Sequence, residues 1–424
     1  MRILYLCLGY LLAPIAFGVV LWRGLRDPAY REGASERFGF GPRQAPGGIW
    51  IHAVSVGEVQ AAAPLVRALR RRYPERPLLV TTSTPTGRAR ARALVGGEAA
   101  VRYLPYDLPG AVGRFLDRAQ PALAVILETE LWPNLYRACG RRGVPIVLGS
   151  ARLSARSVAR YRWFAGLFGE VLSHLAAIGA QSDVDAERFV AVGADPARVH
   201  VLGNLKFDVD PPLDAPARGA ALRATLGIAR PVWVAGSTHE GEEEAVLTAH
   251  RRLGVRYPDA LLVLAPRHPP RFEAVADLAR RHSAAVARRS RGETVTAATD
   301  VLLLDTLGEL TDFYAAGDLA FVGGSLVPIG GHNLLEPAAL GKAIATGPFN
   351  ENGVAALQLL RGAAAVEVVG DAAALATWLL ARVADPPGSA AMGERGRVAI
   401  GASRGALARL LALIAPLVGG PPVT

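Results

Sequence analysis

A chain of 424 residues that is 51% hydrophobic and 20% charged has the composition of a folded protein, which excludes intrinsic disorder, and its length predicts two domains. Its formal charge of +10 rests on arginine, since Lys206 and Lys342 are its only lysines, and predicts an anionic partner: phosphorylated lipid, membrane surface, sugar nucleotide or nucleic acid. Two cysteines, Cys7 and Cys139, and scattered histidines without a His-Glu-x-x-His pattern supply no disulfide framework and no zinc spacing, so a protein-held catalytic metal is not expected.

Residues 3–22 carry no charged side chain, and roughly 20 apolar residues suffice to cross a bilayer. Arg2 precedes this run and Arg23, Arg26, Arg31 and Arg37 follow it, so the positive-inside rule puts the body of the protein in the cytoplasm. Residues 1–26 are therefore assigned to a membrane anchor helix and its flank. A cleaved signal peptide is disfavoured by the reversed charge asymmetry. A helix that dips into the interface without spanning is the competing geometry.

The first domain is placed at 27–208: residues 27–48 read as a polar juxtamembrane connection, after which short apolar runs alternate with helical patterns. Ile49–Val54, Leu78–Thr82, Val101–Tyr103, Leu123–Leu127, Ile146–Gly149, Ala176–Ala180 and Val199–Leu202 read as strands. Residues 208–217 are rich in Pro and Asp and read as a linker. The alternation restarts in a second domain, 209–424, with strands at Pro231–Ala235, Ala260–Ala265, Val301–Leu304, Leu319–Val322 and Ala343–Thr346. The helical pattern of Ala390–Leu417 is placed either there or packed back on the first domain. Such alternation builds parallel sheets covered on both faces. The expected fold is α/β, two Rossmann-like domains facing a cleft as in metal-independent B-type glycosyltransferases, with ligands beyond the C-terminal strand ends.

The polar clusters fall at those strand ends. In His52–Val59, Ser55 and Gly57 precede Glu58 at a helix start, where the dipole favours a carboxylate that can take a proton from a hydroxyl; the same residue also reads as an ordinary helix-start Glu. In Thr81–Arg88, five hydroxyls in six positions, with Thr84, Thr86 and Gly87 at a helix N-terminus, form a candidate anion cradle beyond what a cap needs. Glu128 and Glu130 follow a buried strand, and two carboxylates there favour a polar cleft. Lys206 reads as a phosphate contact or a solvated loop lysine. In the second domain, Ser237 and Thr238 are expected to cap a phosphate-binding helix, with Arg267 and His268 nearby. Gly323, Gly324, Ser325, Gly330 and Gly331 lie between a strand and a helix expected over Asn333–Leu340, with Asn333 and Glu336 in its first turn. The segment's amides suit a phosphate, and its Glu suits ribose hydroxyls.

Taken in order, WIHAVSVGEV, TTSTPTG, ETELWPN, GSARLS, GNLKFD, GSTHEGEE, PRHPPR and GGSLVPIGGHNLLEPA resemble the bacterial Kdo transferases, which attach 3-deoxy-D-manno-octulosonic acid to lipid A. The likeness runs from about Trp50 to Gly353. It implies CMP-Kdo as donor, a lipid A precursor as acceptor, no cofactor and no nucleic acid partner. It also implies a place on the anionic inner-membrane surface. Glu58 matches the family's general base. Arg267, His268, the Gly323-Gly324-Ser325 turn, Asn333 and Glu336 match its CMP half. The competing readings are a UDP-sugar transferase with another lipid acceptor, a nucleotide-sugar epimerase, and a basic module without catalysis.

Overall fold

The structure is a computed structural model, and it describes residues 2–208, 214–283 and 285–418. The chain divides into two compact units, 1–208 with 404–424, and 209–403. Half of the Pro-rich stretch read as a linker, residues 209–213, lies outside the described residues.

The first unit is built on seven parallel strands: β1 (Gly48–His52), β2 (Leu78–Thr82), β3 (Ala100–Tyr103), β4 (Pro121–Leu127), β5 (Ile146–Ala151), β6 (Leu175–Ala180) and β7 (Val199–Val201). Their order is β3-β2-β1-β4-β5-β6-β7. Alternation assigns the side chains: Ile49, Ile51, Leu78, Val80 and Val125 fill one core, while Trp50, Leu79, Ala124 and Ile126 fill the other. Both faces are buried, which is why these strands are continuous apolar runs.

The second unit repeats the plan with β8 (Val232–Thr238), β9 (Leu261–Pro266), β10 (Val286–Arg288), β11 (Val301–Leu303), β12 (Leu319–Val322), β13 (Ala343–Thr346) and β14 (Val366–Val368). Here the order is β10-β11-β9-β8-β12-β13-β14. Each sheet reverses its winding once, between β1 and β4 in the first unit and between β8 and β12 in the second. Such switch points leave a crevice at the carboxyl ends of the two strands, where open α/β sheets bind ligands.

A second domain running unbroken from 209 to 424 is not what forms. Helix Ala406–Val418 sets Ala406, Leu410, Ile414 and Val418, spaced four residues apart, into the core of the first unit. Gly149 of β5 makes room for it, because a Cβ there would stand 3.0 Å from Leu410 Cδ2. The Asp208 carboxylate accepts the Gly405 and Leu407 amides and so caps this helix.

Helix Arg2–Arg26 has a mean hydropathy of 2.2, long and apolar enough to cross a membrane. One stripe of it rests on the first unit. The Tyr5 hydroxyl donates to Asp107 at 2.8 Å, and Phe17 meets Phe38 edge-on at 4.9 Å. Ile3, Leu11, Ile15, Trp22 and Leu25 face outward, exposed.

Candidate functional site

At the switch point of the first unit, helix Val56–Arg72 starts directly after β1, so Glu58 stands in its first turn. Ser55 is the N-cap: its Oγ accepts the Glu58 amide at 3.3 Å and donates to Glu58 Oε1 at 2.8 Å. Oε2 accepts the Val54 amide at 2.8 Å. This is a capping-box exchange that reaches one residue further back than usual. It fixes the carboxylate while leaving each oxygen a free lone pair. Burial, first of all, raises the Glu58 pKa; the Val54 and Ser55 hydrogen bonds oppose it, and the Glu128 charge adds to it. Gly57 beside it is exposed and meets little, so its side is open.

From the end of β4, Glu130 is half-buried and pushed up to about 7, by burial first and then by the charge of Glu58. Glu128 adopts φ 57°, a left-handed conformation rare for a residue with a side chain. Its Oε1 accepts a hydrogen bond from Lys206 Nζ at 2.6 Å. The structure therefore gives Lys206 a carboxylate partner. Its loop is pinned by Ser150 Oγ, which accepts the Leu205 amide, and by Asn204, which accepts the Lys206 amide.

The hydroxyl cluster divides at the end of β2. Thr81 and Thr82 are fully buried, and Thr81 Oγ1 takes the Trp50 indole at 2.8 Å and lies 2.9 Å from His52 Nδ1. Neither belongs to an open cradle, which corrects the expectation from counting hydroxyls. Thr84 caps helix Pro85–Val95 by accepting the Gly87 amide at 3.1 Å, and Thr86 is exposed beside it.

In the second unit three expectations are corrected. Ser237 and Thr238 do not cap the helix after β8; that helix runs Glu243–Gly254 with Glu242 at its N-cap, and Thr238 is fully buried. The amides of the glycine turn are not open to a ligand. The carboxylate of Glu242, itself fully buried, accepts those of Gly324 at 2.5 Å and of Ser325 and Leu326 at 3.2 Å each, besides that of His239 at 2.8 Å. Gly323 is small for this reason: a Cβ would stand 2.5 Å from Glu242 Oε1. Finally, the helix after the turn is short, Leu335–Ala339, so His332 and Asn333 precede it and only Glu336 lies in it. Gly330 and Gly331, with φ 101° and 73°, fold the intervening loop back so that Gly331 donates to Gly324 O at 2.8 Å. Asn333 bridges the helix start, accepting from the Leu335 amide and donating to Glu336 Oε1, both at 3.0 Å.

Arg267 and His268 lie exposed at the end of β9, next to the switch point. His268 meets His239 edge-on at 5.0 Å, and His239 Nε2 lies 2.7 Å from His332 Nε2. The sequence reading gave Glu242 and His239 no role, and it did not foresee the pairing of His332 with His239. For Glu242 a signal existed, since His239-x-x-Glu242 has capping-box spacing. Among the described residues no group of three or more His, Cys, Asp or Glu side chains is arranged to hold a metal ion.

Residues 32–209 match the family described as 3-deoxy-D-manno-octulosonic-acid transferase (kdotransferase). The chain is 39% identical over 419 residues to the 3-deoxy-D-manno-octulosonic acid transferase of Haemophilus influenzae, covering 98% of each. It is 39% identical over 424 residues to the protein of the same name from Bordetella pertussis, covering 95% of this chain and 97% of that one. Among solved structures, MurG of Acinetobacter baumannii matches with a TM-score of 0.57 at 12% identity, over 87% of this chain and 99% of that one, a likeness of fold alone.

Proposed function

The chain belongs to the 3-deoxy-D-manno-octulosonic acid (Kdo) transferase family, and from that membership we propose that it moves Kdo from CMP-Kdo to a hydroxyl of a lipid A precursor, with Glu58 as general base. It is a glycosyltransferase of lipopolysaccharide biosynthesis, built on two parallel-sheet α/β units of the B-type fold.

In the proposed reaction the acceptor hydroxyl attacks the anomeric carbon of Kdo and loses its proton to Glu58. The bond to the phosphate oxygen breaks, its electron pair leaves with CMP, and direct displacement inverts the anomeric centre. The observation that carries the base role is the environment of Glu58. Burial raises the basicity of its carboxylate, two short hydrogen bonds hold it in place, and it stands at a switch point. The family resemblance assigns the donor to the second unit, and Arg267 and His268 beside its switch point suit a phosphate. No metal enters the proposed step; the cationic side chains carry the phosphate charge. The outward apolar face of helix Arg2–Arg26 and the excess of arginine suit a lipid acceptor in an anionic inner-membrane leaflet.

The test is incubation of the full chain with CMP-Kdo and tetraacylated lipid A precursor, followed by mass analysis of the lipid. Lipid carrying added Kdo is expected. Folded protein that leaves the lipid unchanged contradicts the proposal. Transfer from a UDP-sugar, or conversion of donor without acceptor, would favour the two competing enzyme readings.

A further inference from the structure

Three histidines and an arginine meet at the switch point of the second unit, and two of the histidines have no assigned role. His239 follows β8 and His332 follows the glycine turn, 93 residues later. Their rings lie nearly in one plane, 12° apart with centroids 5.0 Å apart, joined head to head through two Nε2 atoms 2.7 Å apart. Gly324, with φ 67°, makes the space: a Cβ there would stand 2.8 Å from His332 Cδ2 and 2.9 Å from its Nε2. The glycine turn thus houses an imidazole pair on one side and Glu242 on the other.

An N···N contact this short holds one proton between the rings, one Nε2 donating and the other accepting. In the neutral pair one Nδ1 therefore carries a proton and the other does not. Neither Nδ1 has a hydrogen-bond partner among the described residues. One added proton turns both Nδ1 atoms into donors while the inner bond persists, so the pair gains a positive charge and a second outward N–H to offer an anion.

The surroundings call for an anion. His268, Arg267 and Arg271 face His239, and Arg267 and His268 face His332. The nearby carboxylates are committed elsewhere: Glu242 to four amides, Glu243 to Arg271 at 2.5 Å, and exposed Glu240 to Arg271 at 3.9 Å. Burial first, then these neighbours, hold the His239 pKa below its ordinary value; burial, then His239 itself, then Arg267 and His268, push that of His332 down to about 4. An arriving phosphate reverses both effects of charge.

We propose that the His239–His332 pair is a proton-linked site for the phosphate of the nucleotide donor, taking up a proton as that phosphate binds. The inference rests on the cytidine-nucleotide donor reading. On transfer, the phosphate changes from a singly charged diester to a doubly charged monoester, and the proton already held by the pair offsets one of those charges. Since Glu242 occupies the turn's amides, the pair supplies the donors that those amides do not.

The test is calorimetric titration of CMP, and of cytidine as the arm without phosphate, into the full-length protein near pH ~6.5, in buffers of different ionisation enthalpy. Wild type is expected to take up more protons with CMP than either His239→Gln or His332→Gln, and none with cytidine. Each variant is expected to bind CMP about tenfold more weakly near pH ~6, with a flatter pH dependence of affinity. Both variants are checked for unchanged melting, so that either one alone decides. Equal proton uptake in wild type and variants would overturn the pair's role while leaving the donor reading intact. Absence of CMP binding by folded wild type would overturn both.

Discussion

The carboxylate of Glu242 and the amide of Gly324 are joined at 2.5 Å in the fully buried floor of the second unit's switch point. A glycine-rich turn after a strand ordinarily offers its amides to a ligand. Here the protein has filled that nest with a side chain of its own, three residues past His239. The turn is thereby fixed before any ligand arrives, which costs no ordering on binding.

Replacing Glu242 with Ala leaves four amides without an acceptor, buried ones at Gly324 and Ser325 and partly buried ones at His239 and Leu326. Each unsatisfied buried donor costs about 1–3 kcal/mol, so a loss of at least about 3 kcal/mol is expected. Chemical denaturation should show it, together with weakened CMP binding. Glu242→Gln, which keeps one acceptor oxygen, should fall between the two. Unchanged stability of the Ala variant would mean that the nest does not depend on this carboxylate.

Lys206 and Glu128 act on Glu58 with opposite sign, the lysine lowering and the carboxylate raising its pKa. A general base must be ionised, so activity rises with pH through its pKa. Lys206→Met should therefore move the acid limb of kcat/KM to higher pH, and Glu128→Gln should move it to lower pH. Both groups are about one-third exposed, so solvent screening keeps each shift below about one unit. Shifts in the same direction for both variants would contradict the base assignment.

Ile414 is fully buried in the core of the first unit although it lies at the far end of the sequence. Ile414→Ala should destabilise that unit by about 2–5 kcal/mol, the range for such core truncations. Hydrogen exchange should locate the loss in strands β4 and β5, against which the last helix packs. Loss confined to the second unit would show that the C-terminal helix belongs there.

Much of the fold was legible because parallel strands buried on both faces are unbroken apolar runs, as Leu123–Leu127 and Leu319–Val322 are. The position of Glu58 was legible too, since a strand, a tight turn and a carboxylate at a helix start form a local pattern. Thr81 and Ser83 look alike in a string of hydroxyls, and what separates them is that Thr81 lies within β2, covered on both faces, while Ser83 lies past its end. The role of Glu242 was hidden because its turn partners lie 82 to 84 residues away. The pairing of His239 with His332 spans 93 residues and leaves no local trace either. The helix expected from Asn333 shrank to Leu335–Ala339 because Gly330 and Gly331 turn the preceding chain back on itself.

The most direct measurement is the turnover of Glu58→Gln with CMP-Kdo and the lipid A precursor, made alongside CMP affinity and melting. Gln still offers one oxygen to the Val54 amide or the Ser55 hydroxyl, so stability should change by no more than about 1 kcal/mol. Turnover should fall at least about a hundredfold while CMP affinity holds, as expected when a general base is removed. Near wild-type turnover in a folded Glu58→Gln protein would contradict the account.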